Sequence, residues 1–268
     1  MKDKVLIFDF MNYLHRCRVG NLQGEYVLIF NFFRNLRATV ERFEPAKIFF
    51  ALEGYPKHRY NLFAGYKANR IIKTAGALET KNKIIDSAEL IKKLLLLLPV
   101  TMVYHPDYEA DDVISTLVDN MKDEDITIIS ADTDCIQILQ RNYKDCKLYN
   151  PIKKEYIKPP EWPYIAFKSL VGDKSDNIAP IMSNKKAEKL IVNADEFAKF
   201  LSIEENRSKF FINRDLIEFQ SIQLNEIIHY DGEFNPSDLK KSFDFMEFKS
   251  ITNDYSWNKF CETFENIK

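Results

Sequence analysis

The chain has 268 residues, 46% of them apolar and 29% charged, with a net charge of −2 and 21 phenylalanines. That length suits one large domain, or one domain with an appendage, and lets about 75% of the unfolded surface be buried, so a core needs no staples. Cys17, Cys135, Cys146 and Cys261 form no C-x-x-C pair, which argues against a zinc site or a disulfide framework and for reduced thiols in a cytosolic protein.

The opening stretch MKDKVLIFDF is too short in its apolar run to be a signal peptide. Val5–Asp9 reads as a buried strand with Asp9 at its carboxyl end. A helical pattern follows over about Tyr26–Phe43, and Lys47–Leu52 is a second buried strand, ending at Glu53. Residues 54–82 hold Gly54, Gly65 and Gly76 and read as loop and short helix. Lys83–Leu98 is helical. Its leucine run, Leu94–Leu98, stops at Pro99, far short of the ~20 residues that span a bilayer. Val100–Tyr104 is a short strand, Asp111–Met121 a helix, and Ile126–Ser130 a third buried strand that runs into Ala131-Asp132-Thr133-Asp134 and a short helix. Alternating units with apolar, unalternated strands predict a parallel sheet covered on both faces.

Past about Tyr149 strand signals fade and helices crowd together: about Glu161–Val171, Lys185–Val192, Asp195–Leu201, Glu204–Asn213 and Arg214–Asn225. The character changes near residue 160, which divides the chain into an α/β part, 1–160, and a helical part, 161–268. The amphipathic tail NDYSWNKFCETFENIK is expected to pack against the body.

Charge is separated along the chain. Residues 55–93 hold nine Lys/Arg against three Asp/Glu, whereas residues 105–134 hold ten Asp/Glu against one Lys. Acids fall at strand ends: Asp9, Glu53, Asp132 and Asp134. In an open α/β sheet sites form outside the carboxyl ends of the strands, so these should converge. Glu109, Asp111 and Asp112 open a helix that can reach the same crevice, and "GDKSDN" adds Asp173 and Asp176. Each motif alone has an ordinary reading, as a helix cap or an Asx-rich turn. Together they gather more like charge than can stay ionised without counter-cations. Hard oxygen donors without His or Cys suit Mg²⁺ or Mn²⁺, and two such ions ~4 Å apart are the usual means of hydrolysing phosphodiesters. No EF-hand loop is present, which disfavours a calcium-binding protein.

The stretches "LIFDFMNYLHR" (6–16), "GYKANR" (65–70), "YEADDVISTLV" (108–118), "IISADTDCIQIL" (128–139) and "LVGDKSDNIAPI" (170–181) resemble, in order, the motifs of the 5′ nucleases, or flap endonucleases. That family includes the nuclease domain of bacterial DNA polymerase I and stand-alone phage enzymes, and the compact C-terminal part is more similar to the phage enzymes. The resemblance implies a PIN-like parallel sheet with helices on both faces, a helical arch over residues 55–98 and a C-terminal helix–three-turn–helix subdomain. It implies metal-dependent cleavage of DNA at 5′ flaps, 5′ overhangs or RNA/DNA primer ends by a monomer, in a bacterial or phage-infected host cytoplasm and without membrane contact. Asp9, Glu53, Glu109, Asp111 and Asp132 then match one metal cluster, Asp134, Asp173 and Asp176 the other, and Asp112 an outer-shell acid. Glu53 stands where the family usually has Asp. Tyr66, Lys67 and Arg70 match residues at the base of the arch over the active site; chemically, Lys67 and Arg70 can add positive charge at the scissile phosphate and Tyr66 can stack on a base. Arg59, Lys73 and Lys83 sit in the basic block expected to line a single strand, with Tyr55, Tyr60 and Phe63 interleaved.

One departure stands out. Where the family carries a glycine hairpin for potassium and a duplex phosphate, this chain reads Ile178-Ala179-Pro180-Ile181-Met182-Ser183-Asn184-Lys185-Lys186-Ala187. A potassium site loses the glycines on which close backbone approach relies. Lys185, Lys186 and Lys189 remain as phosphate contacts, and the duplex grip is expected to be weaker or shared with a single-strand-binding protein or polymerase. Two other readings compete: a PIN-type ribonuclease, which needs only about four acids, and a catalytically silent branched-DNA-binding module, whose mark would be missing carboxylates.

Overall fold

A computed structural model describes residues 2–18, 24–71, 74–141 and 143–268. Strand β1 (Lys4–Asp9) runs into helix α1 (Phe10–Arg16), followed by α2 (Val27–Phe43), β2 (Lys47–Ala51), α3 (Lys57–Leu62) and the long α4 (Ala75–Leu95). Next come β3 (Thr101–Tyr104), α5 (Ala110–Asn120), β4 (Asp125–Ile129), α6 (Ile136–Leu139), β5 (Cys146–Asn150) and β6 (Glu155–Ile157). Helices α7 (Tyr164–Val171), α8 (Asn184–Ile191), α9 (Ala194–Ser202) and α10 (Glu204–Ile217) then form a cluster. The chain returns through β7 (Ile228–Asp231) and ends in α11 (Pro236–Phe245), α12 (Lys249–Thr252) and α13 (Asp254–Glu265).

The strands make one sheet in the order β6-β5-β4-β1-β2-β3-β7, with β1 to β5 mutually parallel and β6 and β7 antiparallel at the edges. Alternate residues of β1 explain why it carries no polar face. Leu6 and Phe8 enter the core under α1, α2, α4, α11 and α13, whereas Val5 and Ile7 enter the core under α5 and α6. Aromatics supply much of the first core: Phe8 stacks on Phe50 at 4.7 Å, Phe33 meets Phe243 at 5.0 Å, and Trp257 stacks on Phe260 at 5.3 Å. The tail therefore packs on the body, as its amphipathic pattern suggests. Among the described residues no helix is long and apolar enough to cross a membrane.

Several elements differ from expectation. Helix α4 begins at Ala75, because the Thr74 hydroxyl accepts the Ala77 N–H at 3.2 Å and the polar Glu79–Lys83 stretch stays in an exposed helix. The expected helices Glu204–Asn213 and Arg214–Asn225 are one helix ending at Ile217, after which the chain is extended, with Phe219 and Ile222 buried against α5. Strands β5 and β6 lie at the edge where strand signals fade. Strand β7 is exposed along its whole length, so it has no apolar signature and is fixed by pairing with β3. Residues 228–268 thus belong to the sheet and its core, and only α7–α10 form a separate cluster around Leu170, Ala187 and Phe210.

That cluster is fastened to the sheet by a buried ion pair. The Arg59 guanidinium donates to both oxygens of Asp112 at 2.6 and 2.8 Å, and to the Leu216 carbonyl at the end of α10 at 2.9 Å. Arg59 is 3% exposed and Asp112 fully buried. Asp112 also accepts the Gln220 N–H at 2.8 Å and the Glu109 N–H at 3.2 Å. Removing one partner would leave the other charge buried and unpaired, which costs roughly 3–5 kcal/mol. Arg59→Ala is therefore expected to lower the melting temperature by about 10 °C in a chain of this size. A calorimetric change below ~2 °C would show that the clamp does not hold the fold.

Candidate active site

The parallel order brings the carboxyl ends of β1, β2 and β4 side by side, and α5 starts above them. Asp9 caps α1 by accepting the Asn12 N–H at 3.0 Å and lies 3.4 Å from the Ser130 hydroxyl. Glu53 accepts the Ala110 N–H at 3.1 Å, which ties the end of β2 to the first turn of α5. After β4 the Asn12 side chain accepts the Ala131 N–H, Ser130 Oγ accepts the Asp132 N–H, and Asp132 accepts the Asp134 N–H. Gly54 is required where β2 leaves the sheet, since a Cβ there would lie 2.1 Å from the His105 carbonyl oxygen.

A second set of acids comes from the helical cluster. Gly172 ends α7 at φ 69°, a left-handed turn open to glycine. Asp173 and Ile178 then exchange both backbone hydrogen bonds. This loop is stitched to "GYKANR". The Lys67 N–H donates to the Asp176 carbonyl at 3.0 Å, the Asn177 side chain to the Gly65 carbonyl at 2.8 Å, and Arg70 to the Asp176 carboxylate at 2.6 Å. Lys67 and Asn177 both hold positive φ, 54° and 62°, a strained conformation for side-chain-bearing residues that clusters at functional sites.

Between the two sets lies a cavity of about 180 Å³, lined by Glu109, Asp111, Asp132, Asp134, Asp173 and Asp176 together with Lys67, Arg70 and Lys168. Burial, and then Asp132, pushes the Asp9 carboxyl up to about 6. Burial and Glu109 push Glu53 up to about 7, although the residue keeps an open face. Burial raises Asp111 well above the usual carboxylate range, followed by the like charges of Asp132, Asp9, Glu53 and Glu109. Its Oδ1 is buried without any hydrogen-bond partner. Asp132 is raised by burial and by Asp134.

Basic groups partly offset this charge. Lys67 pairs with Glu109, and Lys168 bridges Asp134 at 3.1 Å and Asp173 at 2.6 Å. Burial works against both ammonium groups, but the carboxylates outweigh it and hold both lysines above their ordinary pKa. The same Lys168 holds Asp173 below the usual range against the cost of burial.

The expected residues therefore divide. Glu109, Asp111, Asp132, Asp134, Asp173 and Asp176 line one cavity with Lys67 and Arg70. Asp9 and Glu53 do not line it, although their charges act on Asp111, and Glu53 opens onto a neighbouring hollow beside Lys92 and Lys93. Among the described residues no three carboxylates, imidazoles or thiolates already surround one metal position. The donors nevertheless fit a hard cation: they are all oxygen, crowded by like charge, and include one buried oxygen with no donor to meet it. Asp112, expected as an outer-shell acid, does not line the cavity; it pairs with Arg59 and accepts the Glu109 N–H. Two expectations are corrected. Arg59 is buried in that pair at the cavity wall and is not part of an exposed basic strip. The Tyr66 ring is 2% exposed, so it does not stack on a base; its hydroxyl lies 2.8 Å from the Glu109 carboxylate and 3.0 Å from that of Asp176. Lys83 is exposed on α4, paired with Glu79, and Lys185, Lys186 and Lys189 are exposed on α8, outside the cavity. Lys73 lies outside the described residues.

Sequence reading overlooked Lys168 and Tyr164, whose hydroxyl donates to Asp134 at 2.8 Å. The signal for Lys168 is its place one helical turn before the Gly172 turn that folds Asp173 back onto it.

The buried like charges have a cost with a defined pH dependence. Asp9 keeps its proton to about pH 6 when folded but loses it near 3.8 when unfolded, so the folded chain binds more protons in between. Its contribution to stability is complete below about pH 4 and is lost as pH rises through 6. In EDTA the melting temperature should fall from pH 5 to 7.5, and Asp111→Asn should raise it at pH 7.5 by several degrees, since one unpartnered charge is removed. A destabilised Asp111→Asn protein in EDTA would refute the charge assignment.

Residues 4–162 match the family model of the 5′-3′ exonuclease N-terminal resolvase-like domain. The 5′-3′ exonuclease of Bacillus subtilis is 32% identical over 174 residues, which cover 60% of this chain and 56% of that protein. The thermostable DNA polymerase I of Thermus filiformis is 30% identical over 165 residues, 58% of this chain and 19% of the polymerase. The chain thus spans about a fifth to a little over half the length of these relatives. A bacteriophage T5 flap endonuclease, solved as a complex with DNA and metal ions, shares the fold with a TM-score of 0.67 at 15% identity, over 98% of this chain and 99% of that one. With the family model matching more than half of its length, the chain belongs to the 5′-3′ exonuclease N-terminal resolvase-like domain family.

Proposed function

We propose that this chain is a metal-dependent 5′ nuclease that hydrolyses phosphodiesters at 5′ flaps, 5′ overhangs or primer ends during DNA replication and repair. The observation that carries this reading is the buried, unpartnered Oδ1 of Asp111, surrounded by four other carboxylates. A site built only to be folded would neutralise or pair such a group. Asp9, Glu53, Glu109, Asp111 and Asp132 are suited to hold one Mg²⁺ or Mn²⁺, and Asp134, Asp173 and Asp176 a second. Such ions, when bound, offset the acids and acidify water for attack on phosphorus.

The chain's own groups do the positioning. The Tyr66 hydroxyl lies within hydrogen-bond distance of both Glu109 and Asp176, and its one proton is shared between them. Lys67 and Arg70, in the cavity lining, place positive charge where a scissile phosphate gains negative charge. Lys168 keeps Asp134 and Asp173 together. The phage T5 relative's complex with DNA and metal ions supports the same substrate and cofactor class here.

A labelled 5′-flap duplex tests the reading. Wild type should cut near the branch in Mg²⁺ or Mn²⁺ and not in EDTA. Asp132→Asn should lose cleavage by more than about 100-fold, the upper end for residues that merely support a metal site, while branched-DNA binding survives. Cutting that persists in EDTA, or in Asp132→Asn, overturns the proposal; wild-type binding without cutting favours the silent module.

The glycine-free loop makes a second expectation. Ile181 and Met182 both turn their N–H groups onto the Leu170 carbonyl, at 2.8 and 3.1 Å, and Pro180 has none to offer. These amides are spent inside the protein, so the downstream duplex is left to Lys185, Lys186 and Lys189 and to a partner such as a single-strand-binding protein or polymerase. Exchanging KCl for NaCl at equal ionic strength should leave duplex footprint and cleavage unchanged. Potassium-specific protection would show a backbone cation site after all.

A further inference from the structure

We propose that the stacked rings of Tyr55 and Tyr60 form a platform for one unpaired nucleobase of the strand being cut, an inference that rests on the nuclease reading above. Tyr55 is 59% exposed. Its ring lies parallel to that of Tyr60, with centroids 4.8 Å apart and 12° between the planes. Tyr60 in turn meets the buried Tyr66 edge-on at 5.7 Å and 80°. An open aromatic surface is thus two ring contacts from the hydroxyl that holds Glu109 and Asp176.

The platform is held in place by backbone. The Tyr55 N–H donates to the Pro106 carbonyl at 2.8 Å, and the Lys57 N–H to the Asp107 carbonyl at 3.2 Å. Gly54 fits against the His105 and Tyr108 carbonyl oxygens, where a Cβ would lie 2.1 and 2.4 Å away. Residues 54–57 are therefore bolted to the segment that runs directly into Glu109, and Tyr55 cannot shift without disturbing the acids. This rigidity lowers the ordering cost of binding.

A ring present only for packing would be covered on both faces. Tyr60 covers one face of Tyr55, and the residue's large exposure places the other in solvent. A flat π-surface of this kind is matched by a nucleobase, which every nucleotide carries, so the contact is tolerant of base identity. Lys57, whose side chain is 62% exposed and lies 3.8 Å from the Asp107 carboxylate, can turn from that loose surface pair to an accompanying phosphate two residues away. The open ring face, the adjacent lysine and the ring contact with Tyr66, which lines the cavity, favour a nucleic-acid strand over a protein partner. The stacking role that the sequence suggests for Tyr66 belongs instead to the tyrosines in front of it.

The test uses the full chain and duplexes with a single-stranded 5′ tail, bound in EDTA. 2-Aminopurine is placed at each tail position near the branch in turn. Wild type should quench its emission at one position, in DNA and RNA tails alike. Tyr55→Ala should abolish that quench and weaken binding about 10-fold, within the range for one stacked base. Tyr55→Phe and Tyr55→Trp should keep it, because the ring face and not the hydroxyl makes the contact. Removing the base at the quenched position should make wild type and Tyr55→Ala bind equally, as a pairwise contact requires. Unquenched emission at every position in a protein that still cuts flaps in Mg²⁺ overturns the platform and leaves the nuclease reading standing. An equal loss in Tyr55→Ala on abasic and normal tails also overturns it. A wild type that neither binds nor cuts tailed duplexes sinks both.

Discussion

The arrangement of this site depends on one ion pair that takes no part in its chemistry. Arg59 and Asp112 meet in a two-pronged contact out of reach of solvent. Burying two charges is costly, and attraction alone rarely repays it. Here the remaining donors and acceptors are also used: Arg59 reaches the Leu216 and Glu218 carbonyls, and Asp112 receives the N–H groups of Glu109 and Gln220. The pair therefore joins the segment after β2, the first turn of α5 and the exit of α10. Because Asp112 is locked downward, the helix must turn Asp111 toward the strand ends. Arg59 Nη1 also lies 3.0 Å from Glu109 Oε2, so the same guanidinium orients an acid on the cavity wall.

With that frame fixed, the acids have nowhere to go. Asp9, Glu53, Asp111 and Asp132 are all pushed toward their protonated forms, burial being the largest cause in each. The second set behaves differently, since Lys168 reaches Asp173 and Asp134 and holds Asp173 ionised. Lys67 and Lys168 lie as deep as the acids they pair with, and only Arg70 stands largely in solvent. A polyanion arriving from solvent meets Arg70 first, and a divalent ion among the acids would relieve repulsion that the protein itself leaves unresolved. The net charge of −2 says little about this, because charge of both signs is sorted within a few ångströms.

What was legible in the sequence followed from periodicity. Strands covered on both faces read as unbroken apolar runs, so their ends, and the acids on them, could be located without coordinates. The sheet's edges were illegible for the opposite reason: β7 is polar and exposed, and only its pairing with β3 makes it a strand. Side-chain direction was also hidden. Asp111 and Asp112 are adjacent and chemically alike, yet one faces the cavity and the other the Arg59 clamp. Arg59 looked like its basic neighbours until burial separated it from them. Tyr66 and Tyr55 carry the same ring, and only packing shows that one offers its hydroxyl inward and the other its face outward.

The loss of hairpin glycines need not loosen the joint between sheet and helical cluster, because the strain sits elsewhere. Three left-handed residues, Lys67, Gly172 and Asn177, lie in the clasp between "GYKANR" and "GDKSDN". Two of the three carry side chains and cost energy in that conformation. The clasp offsets this with cross-loop hydrogen bonds from Lys67, Asn177 and Arg70, and with Tyr66 shared between the acids of both segments. A pull on the helical cluster is therefore felt at Asp176 and, through Tyr66, at Glu109. The residues after Ile178 lie outside this chain of contacts, and their amides close on Leu170 within the cluster itself. That separation leaves the positions of the carboxylates independent of the backbone conformation after Ile178.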